Sequence, residues 1–135
     1  MDSITSNLKR LSSKHVLVVA DSCYSGTMTR SNRITLSSKT SREKYLQKML
    51  KKASRTLIAS GGNEPVSDSG GDGHSIFSDV FLTALKNADE KVFTAEDLFY
   101  GSIKESVAGR ADQTPEYSII RNSGHDGGDF LFVRE

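Results

Sequence analysis

The stretch "HVLVVADSCYSGTMTR", His15 to Arg30, decides how this chain is read. Val16 to Ala20 is a short unbroken apolar run rich in β-branched residues, the pattern of a strand covered on both faces in a parallel α/β sheet. The run passes directly into Asp21, Ser22 and Cys23, and Cys23 is the only cysteine of 135 residues. In open α/β sheets, sites form in the crevice beyond the carboxyl ends of the strands. Cys23 is therefore expected just past the end of its strand, on that edge. Gly26, three residues on, lets the backbone turn sharply and approach a ligand. Free backbone N–H groups at such a turn would lower the thiol pKa and could stabilise an oxyanion. The plainer alternative is a small buried apolar residue, which is what a lone cysteine usually is.

The rest of the sequence gives that strand a setting. A chain of 135 residues with 36% hydrophobic and 26% charged residues suits one soluble globular domain. No stretch approaches the roughly 18 apolar residues of a membrane span, and the start "MDSITSNLKRL" lacks a signal-peptide core. A single cysteine cannot close an intramolecular disulfide, so a reducing, cytoplasmic setting is expected. A net charge of +1 argues against a nucleic-acid partner. That balance hides an asymmetry. Arg30 to Arg55 carries nine basic residues and one acid, whereas Ser60 to the end carries fourteen acids and six basic residues.

Ile4 to Leu11 reads as a short helix with Ser3 as N-cap, and Thr27 to Thr40 as a polar loop. "SREKYLQKMLKKAS" places Tyr45, Leu46, Met49 and Leu50 at helical spacing with lysines opposite. "RTLIAS" is a second buried strand running into the Gly-rich "GGNEPVSDSGGDG". Ile76, Phe77, Val80, Phe81, Ala84 and Leu85 mark an amphipathic helix starting near Ser75. Another helix follows Thr94, with Asp97 in the capping-box position and Phe99, Ile103 and Val107 inward. "YSIIR" and "DFLFVR" close the pattern as two strands. The order predicts an α/β fold with an open, mostly parallel sheet flanked by helices. Four strands are few where about five or six are usual, so further strands are expected before residue 1.

"ADSCYSG" after a hydrophobic strand resembles the nucleophile motif of metacaspases and bacterial caspase-like cysteine peptidases. "LIASGGNEPVSDSGGDGHSIFSDVFLTAL" and "DQTPEYSIIRNSGHDGGDFLFV" look like the segments that follow that motif, so the resemblance runs from about Lys14 to Arg134. It implies a caspase-hemoglobinase-like fold in which residues 1–135 are the nucleophile-bearing, C-terminal part of one catalytic domain, lacking the N-terminal strands. It implies a cysteine endopeptidase in which Cys23 attacks a peptide carbonyl to form a thioester, its own backbone N–H serving the oxyanion hole. Asp21 would line the pocket for an Arg or Lys before the cut, although capping its own turn is equally in keeping with an Asp there. Ser60 would line the substrate cleft, or be a plain strand-end hydroxyl.

A base is needed as well. His15 lies at the other end of the nucleophile strand, roughly 25 Å from Cys23 at about 3.3 Å per residue. His74 follows the Gly-rich loop on the correct edge, and the edge on which His125 lies depends on the direction of the last strand. The family base is a His followed by Gly, and this chain has no His-Gly pair. The resemblance therefore implies an upstream segment or subunit carrying the histidine, besides a protein or peptide substrate, and an isolated chain without activity. Residues 27–55, a basic loop and helix that includes Arg30 and Arg33, form a possible processing segment. Asp68 to Gly73 is superficially like a calcium loop but lacks the alternating acids and final Glu of an EF-hand, so no metal or cofactor is assigned, although some metacaspases use calcium. Glu64 and Asp68 add negative potential that would steer a basic substrate. The reading from a different class is a non-catalytic caspase-like module acting through protein–protein interaction. An unrelated α/β ligand-binding domain with an incidental thiol is the third.

Overall fold

The computed structural model describes residues 7–23, 28–30, 39–61, 76–110 and 114–134. The strands are β1 (His15–Cys23), β2 (Met28–Arg30), β3 (Ser54–Gly61), β4 (Val92–Thr94), β5 (Glu116–Ile120) and β6 (Leu131–Val133). The helices are α1 (Lys39–Lys51), α2 (Ile76–Asn87), α3 (Ala95–Leu98) and α4 (Lys104–Arg110), and residues 7–10 are also helical. A π-helical turn, Phe99–Ile103, joins α3 to α4. β1, β3 and β5 form a mixed sheet in that order, and the three-residue β2 extends it by pairing with β5.

β3 is the axis of the molecule, with every side chain from Ser54 to Ser60 buried. Its alternation sends Ile58 to one face and Leu57 and Ala59 to the other. Ile58, Tyr117 and Leu17 pack against Phe77 and Val80 of α2 and against Phe93, Phe99, Ile103 and Val107. Leu57, Ala59 and Ile120 pack with Val16, Val18, Ala20 and Leu8 on the opposite face.

The expectation of a mostly parallel sheet holds for one pairing only. β1 runs parallel to β3, with His15 opposite Ser54 and Ala20 opposite Ala59, whereas β5 is antiparallel to both β3 and β2. The number of helical passes explains this. One helix, α1, returns the chain to the edge from which β1 started. Two passes, α2 and then α3 to α4, bring it back to the edge that β3 left, where Glu116 lies opposite Ala59. The last strand also departs from expectation. β6 pairs antiparallel with β4 in a separate two-stranded sheet. The short β4 and β2 carry too few residues for a two-residue period to show, and β2 falls inside the segment read as loop.

Both faces of β1 are in contact, Leu17 with one core layer and Val16, Val18 and Ala20 with the other, but only in part. These four are half-buried, Val19 is 40% exposed, and the strand lies at the edge of the described sheet. In α1, Tyr45, Leu46 and Met49 are half-buried as the spacing predicts, but Leu50 is 53% exposed.

The helix after Thr94 forms as its sequence predicts. Asp97 N–H donates to Thr94 Oγ1 at 3.0 Å, and Thr94 N–H donates to Asp97 Oδ2 at 3.1 Å. These two bonds satisfy donors that a helix start otherwise leaves orphaned. Phe99, Ile103 and Val107 are all buried. A four-residue spacing drifts by about 40° per step on an α-helix. The π turn, closed by Lys104 N–H on Phe99 O, takes up part of that drift.

Polar ties fasten the layers. Arg42 of α1 donates to Asp97 Oδ2 at 2.9 Å and to Val92 O at 3.3 Å, and it pairs with Glu90 at 2.6 Å. Burial pushes the Asp97 carboxyl up, but the Arg42 and Thr94 bonds together outweigh it and leave its pKa below the usual value. Tyr117 O–H donates to the buried Asp129 carboxylate, which also accepts N–H bonds from Phe130 and Glu96. Burial leads the effects that raise the pKa of Asp129, and it likewise raises that of Tyr117. Arg55 at the head of β3 is 4% exposed, and its guanidinium donates to the carbonyls of Leu8, Leu11, Ser13, Lys14 and Ser54.

Replacing Arg55 with Met should cost about 1 to 3 kcal/mol in urea denaturation, because it removes charge-assisted bonds to carbonyls, two of them buried. Arg42→Met should cost about 1 kcal/mol at neutral pH, since the pair is partly exposed. Asp97's folded pKa is depressed, so its contribution is present above the unfolded value near 3.8 and fades as pH falls through the lower folded value. The gap between Arg42→Met and wild type should therefore narrow in strong acid.

Candidate functional site

Asp21, Cys23 and Ser60 lie along the carboxyl edge of the β1–β3 pair. β1 continues through Asp21 and Ser22 to Cys23, so the cysteine ends the strand rather than following it. The register shifts on the way. Ala20 lies opposite Ala59 and Cys23 opposite Gly61, so three steps along β1 match two along β3. One extra residue on β1 makes a bulge-like irregularity, a device that bends a strand and re-aims its side chains at sheet edges and sites.

Asp21 is exposed, and its Oδ2 accepts a hydrogen bond from Ser78 Oγ at 2.7 Å. Ser78 is the third residue of α2, so the end of β1 is tied to the first turn of that helix. The positive end of the helix dipole favours a carboxylate there. Ser60 lies on β3 next to Gly61 and is fully buried. Among the described residues its Oγ has no hydrogen-bond partner. A buried hydroxyl left unpaired costs about 1 to 3 kcal/mol, and such a group calls for a water, an ion or a ligand. Its isolation is legible only in three dimensions.

Two of the three histidines lie at the opposite edge. His15 is opposite Ser54 at the head of the pair. Its Nε2 is 2.8 Å from Leu50 O and its Nδ1 2.8 Å from Ser54 Oγ. A carbonyl only accepts, so Nε2 carries the proton and the Ser54 hydroxyl donates to Nδ1. His125, considered as a base, accepts a hydrogen bond from Arg55 N–H at 3.0 Å, at the same head edge. This corrects its candidacy. The Asn122 to Gly128 loop carries it to the start of β3, away from Cys23. His74, Gly26, Arg33, Glu64 and the Asp68 to Gly73 stretch lie outside the described residues. Of the proposed processing segment, Arg30 lies in β2, and Lys44, Lys48 and Lys51 lie in α1.

Among the described residues, no group of three or more His, Cys, Asp or Glu is placed to hold a metal ion. No helix among them is long and apolar enough to cross a membrane. A scan against protein-family models found no match to this chain, and searches of curated proteins and of solved structures found none either. The site is therefore read from its own geometry, as an α/β protein with an acid, a thiol-bearing residue and an unpaired hydroxyl at one edge of the sheet.

Ser60→Ala should leave the urea midpoint unchanged or slightly higher, because the fold among the described residues makes no use of that hydroxyl. A loss above about 1 kcal/mol would assign Ser60 to the scaffold instead.

Proposed function

We propose that this chain is the nucleophile-bearing part of a caspase-like cysteine endopeptidase that cuts after Arg or Lys, with the base histidine supplied by an upstream segment. The observation that carries this reading is the position of Asp21, Cys23 and Ser60 along the carboxyl edge of a parallel strand pair, beside a bulge-like irregularity. Open α/β sheets put their chemistry at that edge.

On this reading the Cys23 thiolate attacks the scissile carbonyl, and the negative charge passes to the carbonyl oxygen, held by the Cys23 backbone N–H. Collapse expels the amine, which takes a proton from the base, and leaves a thioester. Water then cleaves the thioester, restores the thiol and releases the new carboxyl end. The Asp21 carboxylate favours a cationic side chain before the cut, and Ser60 supplies a hydroxyl to the substrate backbone. Among the described residues no histidine reaches this edge, which is in keeping with a base supplied from elsewhere. Both described histidines are bonded at the far edge. Among the described residues β1 is the outer strand of its sheet, an edge to which such a segment can add.

A peptide electrophile with Arg beside the warhead, applied to the protein that includes the upstream segment, should modify Cys23 by mass spectrometry. Cys23→Ala should abolish both labelling and cleavage of Arg- and Lys-containing peptides. Asp21→Asn should lower turnover of these peptides by tenfold or more while sparing neutral ones. Residues 1–135 alone should not cleave; cleavage that Cys23→Ala removes would refute the external base. Absence of labelling in the longer protein would favour the non-catalytic, protein-binding module.

A further inference from the structure

β3 has a backbone donor that its sheet cannot satisfy. Ser54 N–H donates to Lys14 O at 2.9 Å, toward β1, so strand alternation turns Arg55 N–H toward β5. β5 does not reach it. The last pair between these strands is Thr56 with Ile119, and the chain then turns through Arg121 and Asn122. His125 Nδ1 takes the vacant rung at 3.0 Å.

The rest of the loop is built for that approach. Asn122, Gly124 and Gly127 adopt φ of 60°, 92° and 88°, the left-handed conformations that glycine and asparagine tolerate. Asp126 and Gly128 N–H both donate to Ala53 O, at 2.9 and 3.2 Å. Gly128 passes so close to the Lys52 carbonyl that a Cβ would collide with it.

We infer that His125 is a proton-operated latch: its neutral imidazole closes the 121–130 loop onto the head of β3, and protonation releases it. A protonated imidazole has donors at both nitrogens, so Nδ1–H would face Arg55 N–H with no acceptor between them. Two charges act on it from the elements that pack there, and the Arg55 guanidinium on β3 opposes a second cation. Asp126, in the loop itself, is the counterweight that favours the proton. Burial leads the effects on His125, Asp126 opposes it and Arg55 adds to it, so the imidazole titrates below its usual 6.5. A depressed folded pKa means that closure is complete above the ordinary histidine range and is lost as pH falls through the lower folded value. The latch does not depend on the peptidase reading, because it lies at the other end of the sheet.

The test is amide hydrogen exchange by NMR on the whole chain, between about pH 7.5 and 5, with intrinsic rates divided out. Protection of the Arg55, Asp126 and Gly128 amides should fall at least tenfold in acid relative to Leu57 and Ile58. The His125 ring should titrate below 6.5. His125→Asn offers an acceptor oxygen that does not titrate, and should keep the loop protected throughout. Unchanged wild-type protection, a ring pKa at or above 6.5, or an equal acid loss in His125→Asn would each overturn the latch. Should His125→Asn leave the loop open at every pH, the wild-type exchange and ring titration decide.

Discussion

The fold turns on one buried cation. Arg55 sits in the central strand with no acidic partner among its described contacts, and carbonyl oxygens hold its charge instead. A charge removed from water is costly unless fully bonded, so each of those carbonyls is under compulsion to stay. Two of them, Leu8 O and Leu11 O, lie at the end of the N-terminal helical turn, where the dipole is negative, and Leu8 O also accepts from Leu11 N–H at 3.3 Å. One side chain thus satisfies a helix end, fixes the approach to β1 and sets the head of β3. Because His15, Ser54 and the His125 loop bond around the same point, the amino edge of the sheet is a densely bonded network.

The carboxyl edge is built differently. There the ladder slips by a residue between Ala20 and Cys23, Ser60 is buried without a described partner, and Asp21 reaches outward to α2. Bulges of this kind recur at sheet edges and next to sites, and a buried hydroxyl without a partner costs stability unless a ligand or water completes its bonds. The contrast makes the carboxyl edge the place where a ligand would complete the bonding.

How much of this was legible in the sequence follows from which interactions are local. The Thr94–Asp97 box and the inward Phe99, Ile103 and Val107 were readable because their partners lie within eight residues or share one helix face. The buried run at β3 was readable as a strand from composition. The direction of β5 and the pairing of β6 with β4 were not, since they depend on how many helical passes separate strands distant in sequence. Arg55 was invisible as an organiser: in the sequence it is one more basic residue at the end of a basic stretch. His125 looked like a possible base, because only the turn at Asn122 and the glycines beyond it decide which edge it reaches. Strand-end logic singles out Cys23 and the resemblance adds Asp21 and Ser60, whereas the lack of a described partner for Ser60 emerges only once the strands are side by side.

The apolar edge of β1 bears on the proposed partner. Five consecutive apolar residues in a strand that is only half covered are a poor design for an outer edge, where proteins place charges, prolines or very short strands. β5 shows the contrasting solution, with the short β2 laid along its far side. Among the described residues, no strand pairs with the outer side of β1. A parallel strand added there would end beside Cys23, because parallel neighbours share a carboxyl edge. On the proposed reading, the segment that completes the sheet is thereby the one able to bring a base to the thiol, so assembly and activation become a single event.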